Sequence, residues 1–124
     1  MDRDKTMNVR VSAALWLATA GYMAFIFYLS SRHLQIPSLL PEYFDKIAHI
    51  LLYMPLAFLF FSAMKKSGFH KYIFFTSFLL AGSYGITDEI HQSFVPGRDA
   101  AAADVAADFF GAVIGSLGAS RVKF

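Results

Sequence analysis

The sequence contains no cysteine and few charged residues. The missing cysteines exclude a disulfide framework and a thiolate metal site. Only 16% of the 124 residues are charged, whereas 56% are hydrophobic and 17% are aromatic, a balance too apolar for a soluble domain of this length. The formal net charge is only +2, and no basic run is interleaved with aromatic residues. The composition therefore indicates a membrane protein and argues against nucleic acid binding.

Four apolar segments each approach the roughly 20 residues that a helix needs to cross the hydrocarbon core. They cover residues 11–30, 44–63, 72–92 and 100–119. The second contains Pro55, whose missing N–H neighbouring helices would have to accommodate. The third ends in polar residues, and the fourth carries two aspartates among small residues. We therefore predict one domain over residues 1–124, an all-α integral membrane bundle of four transmembrane helices.

The first segment raises the alternative of a cleaved signal peptide. Basic residues precede it, and Ala18-Thr19-Ala20 has the A-x-A form of a signal-peptidase site. The apolar run nevertheless continues for ten residues as GYMAFIFYLS. This length predicts a retained helix.

The distribution of lysine and arginine predicts the orientation. Of the 11 such residues, eight lie in the N-terminal arm, in the connection KKSGFHK and in the C-terminal tail. The other three, Arg32, Lys46 and Arg98, lie near the first and third connections. The positive-inside rule therefore predicts that both termini are cytoplasmic.

In this orientation, the ionisable residues at membrane depth gather at the outer helix ends. Helical periodicity places Asp45, His49 and Tyr53 on one face of the second helix, and Asp104 and Asp108 on one face of the fourth. Such a cluster is costly in a membrane and is by default a functional-site hypothesis, the alternative being a purely structural polar network. The candidate site residues are Asp45, Lys46, His49, Tyr53, Asp88, Glu89, Gln92, Arg98, Asp104 and Asp108.

Two further patterns concern how the helices meet. Gly111 and Gly115 form a G-x-x-x-G motif, which permits close helix approach and is where an oligomer could form. Pro96-Gly97 suits a type II turn that would hold Arg98 over the outer end of the third and fourth helices. The first connection, SRHLQIPSLLPEY, is long enough to form a lid.

The motifs SSR, DKIAHILLY and DEIHQSFVPGRDAAAADVAADFFGAVIG resemble, in this order, those of the VanZ-like family, and the resemblance covers nearly the whole chain. It implies a small multi-pass protein of the bacterial cytoplasmic membrane. The family is named for a member associated with teicoplanin resistance, so a role in the cell envelope and in antibiotic resistance is an expectation, although nothing in the sequence is specific to a glycopeptide. The family pattern covers Asp45, Lys46, His49, Asp88, Glu89, Gln92, Pro96, Arg98, Asp104 and Gly111. At position 108 relatives carry Asn or Asp.

Three functions fit this set of residues. In an enzyme acting on a lipid headgroup or a lipid-linked envelope precursor, Glu89 or Asp88 would be the general acid or base, His49 the proton partner, and Arg98 with Lys46 would hold phosphate. A binding module would use the same residues without catalysis. A proton or cation pathway is the third alternative, although the inner halves of the segments lack acids. No motif specifies a reaction class.

The charges of the predicted cluster do not balance. Five carboxylates face three cations, Lys46, Arg98 and Arg32, and unpaired ionised acids are expensive at this depth. The deficit predicts protonated carboxyls, protonated His49 and His91, or a divalent cation. No cofactor is required by the sequence, and no ligand spacing is diagnostic of a metal.

Overall fold

The computed structural model describes residues 3–31, 43–96 and 101–124, with their side chains from residue 7 onward. These ranges are all-α and contain no strand. The helices are α1 (Arg3–Ser31), α2 (Tyr43–Lys66), α3 (Ile73–Gln92) and α4 (Ala102–Ser120). The four predicted helical segments are thus confirmed, and α1 begins at Arg3 rather than at residue 11. Gly97, Arg98 and residues 32–42 of the predicted lid lie outside the described residues, so the type II turn and the lid stay predictions.

Three of these helices are long and apolar enough to cross a membrane, over Met7–Ser31, Tyr43–Lys66 and Ala102–Ser120. The polar residues in the last turns of α3 lower its mean hydropathy. Large apolar side chains point outward from all four helices, among them Leu17, Leu51, Phe75 and Phe110. Such a surface is typical of contact with lipid. The chain is a membrane protein, whereas the fourth span over residues 72–92 and the cytoplasmic termini stay predictions.

The centre of the bundle is α2, which makes the most extensive contacts with the other three helices. Its residues Tyr53, Leu56 and Ala57 are fully buried. They pack with Ile26 of α1, Ala81 of α3 and Ala112 of α4. The apolar core therefore lies directly below the turn of α2 that carries His49.

Helix α4 packs against α2 through its glycines. A methyl group at Gly111 would overlap the backbone of Ile50, and one at Gly115 would overlap the backbone of Met54. These contacts are the close approach that the G-x-x-x-G motif predicts. That the same glycines also join two copies of the chain stays a prediction.

Helix α1 is attached to its neighbours by two tyrosine hydroxyls. Tyr22 donates to the carbonyl oxygen of Leu52, in the turn of α2 that contains Pro55 and lacks one backbone N–H. Tyr84 of α3 donates to the carbonyl oxygen of Met23 at 2.6 Å. Because hydrocarbon offers no water to either hydroxyl, both bonds favour a fixed position of α1.

The contacts at the helix ends show which ends lie together. Near the end of α1, Ser31 Oγ lies 2.8 Å from His91 Nε2 of α3, whose ring stacks on Phe27. Lys46 near the beginning of α2 contacts Asp104 near the beginning of α4, and the N–H of Ala101, just before α4, donates to Glu89 near the end of α3. The ends of α1 and α3 therefore adjoin the beginnings of α2 and α4, and we call this the polar end. The opposite end, which we call the basic end, carries lysines and arginines in its helix termini and connection. They are Lys65, Lys66, Lys71, Arg121 and Lys123.

The separation of these two ends makes the orientation testable. Single cysteines replacing Phe94, next to the polar end, and His70, in the connection at the basic end, would both be exposed. An impermeant thiol reagent applied to whole cells should label Phe94→Cys and spare His70→Cys, because basic connections stay in the cytoplasm. Labelling of both after cell lysis is the control. The reverse pattern in whole cells would place the polar end in the cytoplasm.

Candidate functional site

The polar end brings together nine of the ten candidate site residues predicted from the sequence. Seven of them are buried, and two, Asp45 and Lys46, are half-buried. The buried residues are His49, Tyr53, Asp88, Glu89, Gln92, Asp104 and Asp108. Arg98 lies outside the described residues, and its role stays a prediction.

A buried pair of His49 and Asp108 lies at the centre of the cluster. His49 Nδ1 is 2.8 Å from Asp108 Oδ1. The pair joins α2 to α4, and Asp108 is completely buried. A carboxylate at this nitrogen favours the tautomer in which Nδ1 carries the proton. The other nitrogen, Nε2, lies 3.9 Å from Asp45 Oδ1 and 3.7 Å from Asp104 Oδ1.

The ammonium group of Lys46 is shared between two carboxylates. It contacts Asp104 of α4, and its Nζ lies 3.1 Å from Asp45 Oδ2. The Asp104 side chain is almost fully buried, so this contact is shielded from solvent more than a surface ion pair. The predicted role of Lys46 as a phosphate ligand would require a phosphate to compete with both carboxylates.

The carboxylate of Glu89 is held at the junction of α3 and α4. The backbone N–H of Ala101, just before α4, donates to Glu89 Oε2 at 2.8 Å. Glu89 also lines a groove of about 300 Å³ between the two helices. Ile86, Ile90 and Val105 form much of its wall. A buried acid therefore borders an apolar groove on the outside of the bundle.

Two further buried groups, the carboxyl of Asp88 and the hydroxyl of Tyr53, lie near these carboxylates. Asp88 is within electrostatic range of the hydroxyls of Tyr53 and Tyr84. The hydroxyl of Tyr53, fully buried, also interacts with the charges of Asp108 and Glu89. Within the described part of the chain, this hydroxyl and Asp108 Oδ2 have no hydrogen-bond partner.

Side chains of this cluster form two overlapping triplets of potential metal ligands, which share His49. In the inner triplet, one ligand atom from each of His49, Glu89 and Asp108 lies within 4.8 Å of the others. In the outer triplet, the same holds for Asp45, His49 and Asp104. The inner triplet is buried throughout, whereas Asp45 of the outer one is half-buried.

Sequence reasoning missed how three residues take part. His91, a possible cation in the predicted charge balance of the cluster, bonds Ser31 instead of entering the cluster. Tyr84 lies beside Asp88, a position that its spacing of four residues from Asp88 could have indicated. Gly85 is the third, because a methyl group there would lie 2.7 Å from Asp108 Oδ2. Its missing side chain makes room for the aspartate of α4.

These features define an α-helical membrane protein with a buried cluster of ionisable residues at one end of its bundle. The chain belongs to the VanZ/LLP1 family, whose model matches residues 5–123. The resemblance in the three sequence motifs is thereby confirmed. No curated protein and no solved structure matches the chain.

Proposed function

We propose that this VanZ-family protein binds the headgroup of an envelope lipid or lipid-linked precursor at its polar end, on the extracytoplasmic side, and transfers a proton to or from it through His49. The observation that carries the proposal is the buried contact between His49 Nδ1 and Asp108 Oδ1. A carboxylate that orients a histidine in this way supports general acid or base catalysis by the other ring nitrogen. Asp108 would act as the positioning residue.

The surroundings of His49 Nε2 support this assignment of roles. That nitrogen faces the side of the cluster where Asp45 and Lys46 are half-buried and therefore reachable by a polar group. Asp108, in contrast, is out of reach of any substrate because it is completely buried. Glu89 remains the candidate second acid or base, since it lies close to His49 and borders the groove.

The groove between α3 and α4 supports a substrate with an apolar chain. Its wall of Ile86, Ile90 and Val105 belongs to the outward surface that lipid covers, and Glu89 lies along the same groove. An amphiphile could thus place its chain against the isoleucines while its headgroup meets the carboxylate. A water-soluble substrate would need no such groove.

A binding role without catalysis is the second candidate, and the apolar groove beside Glu89 favours it, because the groove could hold a lipid without any proton transfer. Lys46, engaged by two carboxylates, holds the helices together and offers less charge to a substrate phosphate in either role. Glycopeptide resistance would follow from either role if the bound lipid were a cell-wall precursor. It stays a prediction, as does a proton or cation pathway.

Lipid mass spectrometry on the protein purified in mild detergent tests the proposal. We expect one headgroup class to be enriched over the bulk membrane lipid. Val105→Trp should remove this enrichment because the indole fills the groove, whereas Ala106→Trp, on the exposed neighbouring position, should retain it. Lipid of bulk composition on the wild type would contradict the proposal.

A pair of histidine variants separates catalysis from binding. His49→Gln removes the ring that contacts Asp108, and His91→Gln changes the other histidine of the polar end, which bonds Ser31. If His49 transfers a proton, the enriched lipid should stay bound to His49→Gln while its conversion in cells stops, and His91→Gln should behave as the wild type. Unchanged conversion by folded His49→Gln would contradict proton transfer by His49, and only the binding role would then be supported.

A further inference from the structure

We propose that His49, Glu89 and Asp108 form a binding site for one divalent transition-metal ion. The three residues come from α2, α3 and α4, so the ion would join all three helices at the polar end. A metal ion on the His49 ring would replace the proton that His49 is proposed to transfer, so the metal-bound and the proton-transferring forms of the site are alternatives. Metal binding is measured without lipid turnover and is therefore tested independently of the proposed function.

The spacing of the donor atoms fits a coordinated ion. One ring nitrogen of His49 and one carboxylate oxygen from each of Glu89 and Asp108 lie within 4.8 Å of one another. A metal at the usual bond lengths of roughly 2.0–2.2 Å to nitrogen and oxygen brings its ligands to roughly 3–4 Å apart. Small side-chain movements are therefore sufficient to close the site.

Asp108 provides a donor atom that the protein leaves unused. Its Oδ1 contacts His49, while Oδ2 is fully buried without a hydrogen-bond partner among the described residues. Oδ2 points to the face of α3 at Gly85. Glu89 is one helical turn further on the same face, and helical side chains lean back toward the preceding turn. Both carboxylates thus face the same space.

The hydroxyl of Tyr53 is an independent indication that this space holds a polar ligand. Tyr53 is completely buried on α2, one turn below His49, and its hydroxyl lacks a hydrogen-bond partner within the described ranges. The hydroxyl interacts electrostatically with Asp108 and Glu89. A buried hydroxyl without a partner costs about 1–3 kcal/mol. A water molecule bound to a metal ion between the two carboxylates would supply the missing hydrogen-bond partner of the Tyr53 hydroxyl.

The outer triplet is the weaker site because Lys46 already neutralises it. The Lys46 ammonium contacts both Asp45 and Asp104, so a metal there would have to displace a positive charge. One imidazole nitrogen with carboxylate oxygens suits Zn²⁺ or Mn²⁺ better than Mg²⁺ or Ca²⁺, which prefer oxygen ligands alone. We therefore expect the inner triplet to bind Zn²⁺ or Mn²⁺ in preference to Mg²⁺ or Ca²⁺.

Calorimetric titration of chelator-stripped protein in detergent with Mn²⁺ and Zn²⁺ tests the site. We expect one ion per chain and a raised melting temperature, with little response to Mg²⁺. Glu89→Gln and Asp108→Asn should each weaken Mn²⁺ binding roughly tenfold or more. His91→Gln, a change of the polar-end histidine that bonds Ser31 and belongs to neither triplet, is the matched control and should keep the affinity.

Two outcomes would overturn the proposal. One is the absence of stoichiometric binding of either ion to folded wild type. The other is loss of binding in Asp45→Asn and Asp104→Asn with wild-type affinity in Glu89→Gln, which would assign the ion to the outer triplet. Pulsed electron paramagnetic resonance of bound Mn²⁺ provides a readout that does not depend on variant stability, since it should detect coupling to the imidazole nitrogen of His49 in the wild type.

Discussion

Replacing Gly111 by alanine should destabilise the bundle by about 1–3 kcal/mol, as expected for overpacking of a tight interface. The added methyl group would overlap the backbone of Ile50. Backbone cannot rotate away as a flexible side chain can, so α4 must move from α2. That movement would also separate Asp108 from His49, since Asp108 lies on α4 one turn before Gly111.

Gly118→Ala is the matched control for this effect. Gly118 lies on the same helix, is exposed, and has no atom within 4 Å of an added methyl group. Alanine there should be neutral or slightly stabilising, because it favours helix over glycine by up to about 1 kcal/mol. Unfolding by a denaturing detergent measures both variants. Equal stability of Gly111→Ala and Gly118→Ala would show that the α2–α4 contact tolerates separation.

The helices could be predicted from the sequence because each depends on local information. Apolar runs of about 20 residues end at polar or glycine-containing segments, and the observed bounds differ from the predicted ones by a few residues except at the start of α1. The G-x-x-x-G motif likewise reports a contact through its small residues alone. Such features need no knowledge of which helices are neighbours.

The gathering of charges at one end was also predictable, but the pairing within it was not. Periodicity places His49 and Asp45 on one face of α2, and alternation of the helices brings that face to the same end as Asp104 and Glu89. Which carboxylate His49 contacts depends on the rotation of α4 about its axis and on how closely α4 can approach α2 and α3. Gly85 and Gly111 determine that approach through contacts with Asp108 and Ile50.

Lys46 shows that the role of a residue, like its contacts, could not be predicted from the sequence. Its position near a helix end and its charge predicted a ligand for phosphate, and both features are also those of a residue that holds helices together. The contact with Asp104 lies between residues 58 apart in the sequence. No local pattern reports a contact at that separation.

A double-mutant cycle of His49→Leu and Asp108→Ala should show the coupling that holds α2 to α4. Each single variant should be destabilised, because Asp108→Ala removes the buried acceptor of His49 and His49→Leu leaves a buried carboxylate with one partner fewer. The double variant loses both groups together and should be more stable than the sum predicts. We expect a coupling of about 1–2 kcal/mol, measured by denaturing-detergent unfolding.

The size of this coupling separates a charged pair from an ordinary hydrogen bond. Neutral hydrogen bonds between membrane helices average about 0.6 kcal/mol in such cycles, whereas a charged acceptor roughly doubles the strength of a bond. Ser77 and Ser116, whose hydroxyls lie 2.8 Å apart between α3 and α4, form the neutral comparison, and Ser77→Ala with Ser116→Ala should give the smaller value. His49→Leu with Ser116→Ala should be additive, because Ser116 lies eight residues, or about 12 Å, along α4 from Asp108. A coupling between His49 and Asp108 no larger than that of the serines would mean that Asp108 does not hold His49 as a carboxylate, and the proton transfer proposed for His49 would lose its positioning residue.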